Sequence, residues 1–134
     1  HEVTSHGSIV SGDMHTVTAP HASAIAGHAN KVSGESAAAV GGYVNEASGD
    51  YSSLSGGIVN VASGRYSFVS GGWENIASGL HSSVTGGRSN TAKGIDSTVS
   101  GGRANTAEGD HSAVLGGGGK TAEENKSYLP CFDS

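Results

Sequence analysis

The stretch "SGGWENIASG" at residues 70–79 returns fifteen residues earlier as "SGGIVNVASG" (55–64) and fifteen residues later as "TGGRSNTAKG" (85–94). A fixed period of this length marks a repeat architecture and has to be read before any local signal. Paired glycines recur at Gly41–Gly42, Gly56–Gly57, Gly71–Gly72, Gly86–Gly87, Gly101–Gly102 and Gly116–Gly117, with degenerate versions at Ala26–Gly27 and Ser11–Gly12. Asparagine recurs from Asn30 to Asn105, and a small residue follows it in the column Ala47, Ala62, Ala77, Ala92, Ala107, Ala122, led by Val17 and Val32. A lone glycine recurs from Gly34 to Gly109. An apolar column runs Leu54, Val69, Val84, Val99, Val114, with Ile9 assigned before it and Leu129 after it.

Each unit divides into N-x-A-x-G and S-x-V-x-G-G. Five alternating residues closed by glycine read as a short strand and a turn, and are too few for a helix. Two such strands per fifteen residues cannot bury their own apolar face, but stacked coils can. The fold expected is all-β: a β-solenoid of about eight coils over residues 1–124, with a C-terminal cap or tail over 125–134. Pro130 is expected to end the last strand and so blunt an open sheet edge.

Side-chain parity assigns the faces. Asn45 with Ala47, and Ser52 with Leu54, point inward. The asparagine amides are expected to bond one another and turn backbone. Ala24 and Ala39 are undersized in the apolar column, and Val32 is expected to fill the gap. The glycines serve corners that need positive φ or close backbone approach, which puts Trp73 outside the core at a corner.

The outward positions differ between the two half-units. Beside N-x-A they mix charges with threonine and serine, as an ordinary solvated face does. Beside S-x-V they are uncharged and nearly all small, and the hydroxyl-bearing candidates for a binding face are Ser8, Ser23, Ser53, Ser55, Ser70, Ser83, Thr85, Thr98 and Ser100. A flat uncharged array of this kind either binds something or packs on another subunit.

Composition removes several classes. A net charge of −5 does not suit nucleic acid, which requires a basic patch. Glycine is 23 of 134 residues but not at every third position, so collagen is excluded. No apolar run approaches the roughly 18 residues of a membrane helix, no signal-peptide pattern is read at the start, as expected of a mature or trimmed form, and the lone Cys131 cannot form an internal disulfide. "GGGGKT" (116–121) ends like a phosphate loop, but Val114 stands where that motif needs its first glycine. His81 and His111 share a column two coils, roughly 9–10 Å, apart; His6 and His21 lie one coil apart without an evident third ligand; His1 could chelate copper only as a native terminus. Asn125-Lys126-Ser127 is a glycosylation sequon. No catalytic constellation, metal or cofactor is expected.

Two resemblances follow from quoted units. "HANKVSG" (28–34) resembles the xxNxVxG unit of ryegrass-type antifreeze proteins, and "SSLSGGIVNVASG" (52–64) is similar to the β-roll ice-binding proteins of polar microalgae. That resemblance implies a left-handed parallel β-roll, a secreted monomer, and an ice crystal surface as the partner of the S-x-V face. "SAIAGHANKVSG" (23–34) and "AAAVGGYVNEASG" (37–49) resemble head repeats of trimeric autotransporter adhesins, and related repeats occur in phage fibres. This second resemblance implies a homotrimer, with the same face at its interface and Ile25 and Val40 in its core, and a host surface or matrix as the partner.

Overall fold

The computed structural model describes residues 1–131; residues 132–134, the end of the expected cap, lie outside the described residues. It is a β-solenoid with no helix among the described residues. Two parallel sheets of nine strands each run its length. One, the asparagine-side sheet, is built from N-x-A strands such as Ile76–Ala77; the other, the serine-side sheet, from S-x-V strands such as Ser83–Val84. Each strand pairs with its equivalent one coil before and after: Ile76 with Val61 and Thr91, Ser83 with Phe68 and Thr98.

Nine coils stand where about eight were expected, because both ends take part. Glu2–Val3 opens the asparagine-side sheet, and Tyr128–Leu129 closes the serine-side sheet against Ala113–Val114. The first coil is also one residue short. Val10 pairs with Ala24, fourteen residues on, and the register becomes fifteen only at Asp13, which pairs with His28. The missing residue lies in the Ser11–Gly12–Asp13 turn, opposite Ile25–Ala26–Gly27–His28. Val10 therefore takes the inward place assigned to Ile9, and Ile9 is 63% exposed.

The assigned parity holds elsewhere. Leu54, Val69, Val84, Val99 and Val114 are fully buried, as are the alanines from Ala47 to Ala107 opposite them. Each of those valines contributes roughly 1.5–3 kcal/mol through burial. The second and third coils reach the same fill differently. Val17 and Val32 replace alanine on one sheet, while Ala22, Ala24, Ala37 and Ala39 replace serine and valine on the other, all of them buried. A gain of volume on one side is offset by a loss on the other, as close packing requires.

The corners depend on asparagine and glycine. Asn75 Nδ2 donates to the carbonyls of Gly71 and Gly87, both at 2.9 Å, and Asn75 Oδ1 accepts the backbone N–H of Asn90 at 3.0 Å. The amides thus bond backbone and not one another. Gly72 has φ 88°, and a Cβ there would collide with Asn75 Nδ2 and the Gly87 carbonyl. The lone glycines are needed for closeness alone: Gly79 has no positive φ, but a Cβ on it would overlap the Gly94 carbonyl oxygen. At the same corners, non-glycine residues occupy the left-handed region, including Val44 and Val59 at φ 53° and 54°. Such β-branched residues cost on the order of 1–3 kcal/mol each in this conformation. Inter-coil bonds hold them there, from Val44 N–H to the His28 carbonyl and from Val59 N–H to the Tyr43 carbonyl, each 3.0 Å.

Candidate binding face

The serine-side sheet arranges the outward residues in two ranks. The first runs Ser23, Ala38, Ser53, Phe68, Ser83, Thr98, Ala113 in direct register. The second contains Ser55, Ser70, Thr85 and Ser100, held coil to coil by bonds from their N–H groups to the carbonyls of Val69, Val84, Val99 and Val114 at 2.9–3.1 Å. Successive members of a rank are one strand spacing apart, about 4.7–4.9 Å. The first-rank hydroxyl residues are half-buried against their neighbours; Ser55, Thr85 and Ser100 are exposed and Ser70 is half-buried.

Eight of the nine candidate residues lie on this sheet. Ser8 does not share their rank, because the fourteen-residue register puts Ile9 opposite Ser23; Ser8 Oγ instead bonds Ser5 Oγ at 2.7 Å. Nor is the hydroxyl array uniform. Phe68 interrupts the first rank at 37% exposure, and Ile25, Val40 and Leu115 stand exposed towards the two ends. The continuous hydroxyl zone therefore covers the four coils from Ser53 to Ser100, with Phe68 inside it.

The asparagine-side sheet carries charge, as expected, in ion pairs between stacked coils: Lys31 with Glu46 at 3.6 Å and Lys93 with Glu108 at 2.6 Å. Histidines occupy places that their spacing only partly indicated. Asp96 sits between His81 and His111, with its two carboxylate oxygens 3.1 and 3.3 Å from their Nδ1 atoms. His6 and His21 meet edge to face, and His1 Nδ1 accepts the His15 N–H at 3.3 Å. Among the described residues no three or more His, Cys, Asp or Glu side chains are arranged so that they could hold a metal ion. The "GGGGKT" segment forms a corner and the short strand Thr121–Ala122. Asn125 Oδ1 accepts the Asp110 N–H at 2.9 Å. No helix among the described residues is long and apolar enough to cross a membrane.

Sequence reasoning missed two features. The asparagine column has ends of different chemistry. Buried His15 starts it, its Nδ1 accepting the Asn30 N–H at 3.2 Å, and Lys120 finishes it, its N–H on Asn105 Oδ1 at 3.0 Å and its Nζ on the Pro130 carbonyl at 2.6 Å. Both stand fifteen residues from an asparagine, which was the available signal. The second feature is a third ladder along the glycine-pair corner, pairing His28, Tyr43, Ile58, Trp73, Arg88, Arg103 and Gly118 in parallel. Its side chains project outward and stack. His28 lies on Tyr43 with centroids 5.3 Å apart, and the Arg88 guanidinium lies 4.3 Å from the Trp73 ring. No protein-family model matches the chain, and no curated protein matches its sequence.

Proposed function

We propose that the chain binds ice through the serine-side sheet. The observation that carries this reading is the pair of hydroxyl ranks on an uncharged face: Ser55, Ser70, Thr85 and Ser100 at one strand spacing, beside Ser53, Ser83 and Thr98, with Phe68 in the coil between Ser53 and Ser83. Short strands bonded on both sides hold these groups in a fixed array, so water can order over them without the face having to order first. Low charge matters because an ionic group organises its own hydration shell in conflict with a lattice. The function is recognition of a crystal surface, with no catalysis, metal or cofactor, and a protein with this role acts outside the cell.

A second reading is supported by Ile25, Val40, Phe68 and Leu115, which are apolar and exposed on the same sheet. They fit a subunit interface, as in a trimeric adhesin or fibre head, where the face would be covered. Ice growth in the presence of the purified protein separates the two. Faceted crystals and a gap between melting and growth temperatures support the first reading. Unshaped crystals together with a trimeric mass overturn it in favour of the second.

A further inference from the structure

The corner ladder has a symmetry of its own. In the order Asp13, His28, Tyr43, Ile58, Trp73, Arg88, Arg103, each residue pairs with the next along the stack. One coil to either side of Ile58 lies an aromatic ring, Tyr43 or Trp73. Two coils to either side lie His28 and Arg88, each stacked on the neighbouring ring, and three coils to either side lie opposite charges, Asp13 and Arg103. Exposed Val44 and Val59 widen the centre, and exposed Ile76 continues it onto the asparagine-side sheet, away from the hydroxyl ranks. A contiguous apolar patch with aromatic and arginine neighbours has the composition of an interface core. The Asp13 carboxylate pairs with His28 Nδ1 at 2.9 Å, and Arg103 makes no ion pair among the described residues.

We propose that this corner is a homodimer interface, in which a second copy packs antiparallel with the two-fold axis passing at Ile58. An isologous contact requires a self-complementary surface, and this ladder supplies one. Ile58 meets Ile58 of the second copy, Tyr43 meets Trp73, His28 meets Arg88, and Asp13 meets Arg103 at both ends. A parallel pairing would set Arg88 and Arg103 against their own copies, and like charges facing each other suppress that alternative. The dimer leaves the serine-side sheets uncovered, so it does not depend on the ice-binding reading.

Sedimentation equilibrium and cysteine cross-linking test this, with exposed Cys131 replaced by serine. At high concentration the mass is expected to be twice 13.2 kDa. Ile58→Glu is expected to return it to the monomer, with a circular-dichroism melt that matches the parent's at dilution, where both are monomeric, since the side chain is exposed. Under oxidation Ile58→Cys cross-links to itself. Tyr43→Cys does not, because its two copies are displaced by about 9–10 Å, beyond the roughly 7 Å that a disulfide spans, yet it does cross-link to Trp73→Cys. Arg103→Asp weakens the dimer by about tenfold or more, and adding Asp13→Arg in the same chain restores it. A monomeric mass at every concentration, self-cross-linking of Tyr43→Cys, or an assembly lost with Thr85→Tyr but kept with Ile58→Glu overturns the proposal.

Discussion

Asn75 Oδ1 accepts the backbone N–H of Asn90, one coil further along, at 3.0 Å. The same contact recurs between Asn45 and Asn60, Asn60 and Asn75, and Asn90 and Asn105 at 2.9–3.0 Å, so one side chain per coil ties each corner to the next. Because Asn75 Nδ2 also serves two carbonyls, the buried amide has its main partners inside the protein.

Asn75→Ala should therefore cost about 2–3 kcal/mol. It leaves the Asn90 N–H buried without an acceptor, and an unpaired buried group costs about 1–3 kcal/mol beyond the bond itself. Urea denaturation of the variant checks this, and a loss below about half a kcal/mol would show that the ladder is dispensable.

Two inward-facing residues of one coil should respond in opposite ways. Val84 is fully buried, and Val84→Ala should destabilise by about 1–3 kcal/mol through lost burial and a residual cavity. Val84→Asp should not fold, because a charge would lie unpaired in the interior. Ser82 is equally buried, but its hydroxyl has no protein partner, as is true of Ser52, Ser67, Ser97 and Ser112. Removing an unpaired polar atom relieves its desolvation, so Ser82→Ala should be neutral or stabilising by thermal melting. A large loss from Ser82→Ala would show that the hydroxyl is satisfied in solution.

The coil pattern was legible because its columns repeat one residue type: parity from Asn45, Ala47, Ser52 and Leu54 assigned the interior, and burial agrees. What stayed hidden was position without identity. His15 and Lys120 do the work of asparagine with other chemistry, since an imidazole nitrogen can accept and an ammonium can donate where an amide does both. The corner ladder was obscure because Tyr43, Ile58, Trp73 and Arg88 share a backbone role and no side-chain type. The first coil misled because "SGD" and "IAGH" differ by one residue, and a one-residue slip exchanges the faces of a strand, as Val10 and Ile9 show. On the candidate face, small size and absent charge were readable for Ser83, Thr85, Thr98 and Ser100. The half-burial of Ser83 and Thr98, beside the exposure of Thr85 and Ser100, required the stacked neighbours.

Gly79→Ala should disrupt stacking although alanine is the smallest change available. The added carbon meets backbone, the Gly94 and Lys93 carbonyl oxygens, and neither can move without parting two coils. The expected result is loss of cooperative melting or a drop in stability of several kcal/mol, on the order of the largest single-site effects. A variant that melts like the parent would show that the coils can separate locally at little cost.

The function of the serine-side sheet can be tested one face against the other. Thr85 projects outward from the hydroxyl zone and is exposed, so Thr85→Tyr should raise a bulky ring above the two ranks without entering the core. Its stability should change by no more than about half a kcal/mol, as for most surface substitutions. Thr91 occupies the corresponding outward place on the asparagine-side sheet, in register with Ile76 and Thr106, and Thr91→Tyr is the control. If ice recognition depends on a flat hydroxyl array, thermal hysteresis should fall sharply for Thr85→Tyr and remain near the parent value for Thr91→Tyr. Replacing Phe68 by Ser should act in the opposite direction, since it removes the one aromatic side chain that interrupts the first rank between Ser53 and Ser83. Equal losses from Thr85→Tyr and Thr91→Tyr would remove the serine-side sheet from the ice-binding role. A Thr85→Tyr protein that changes mass and not ice growth would assign the sheet to subunit contact.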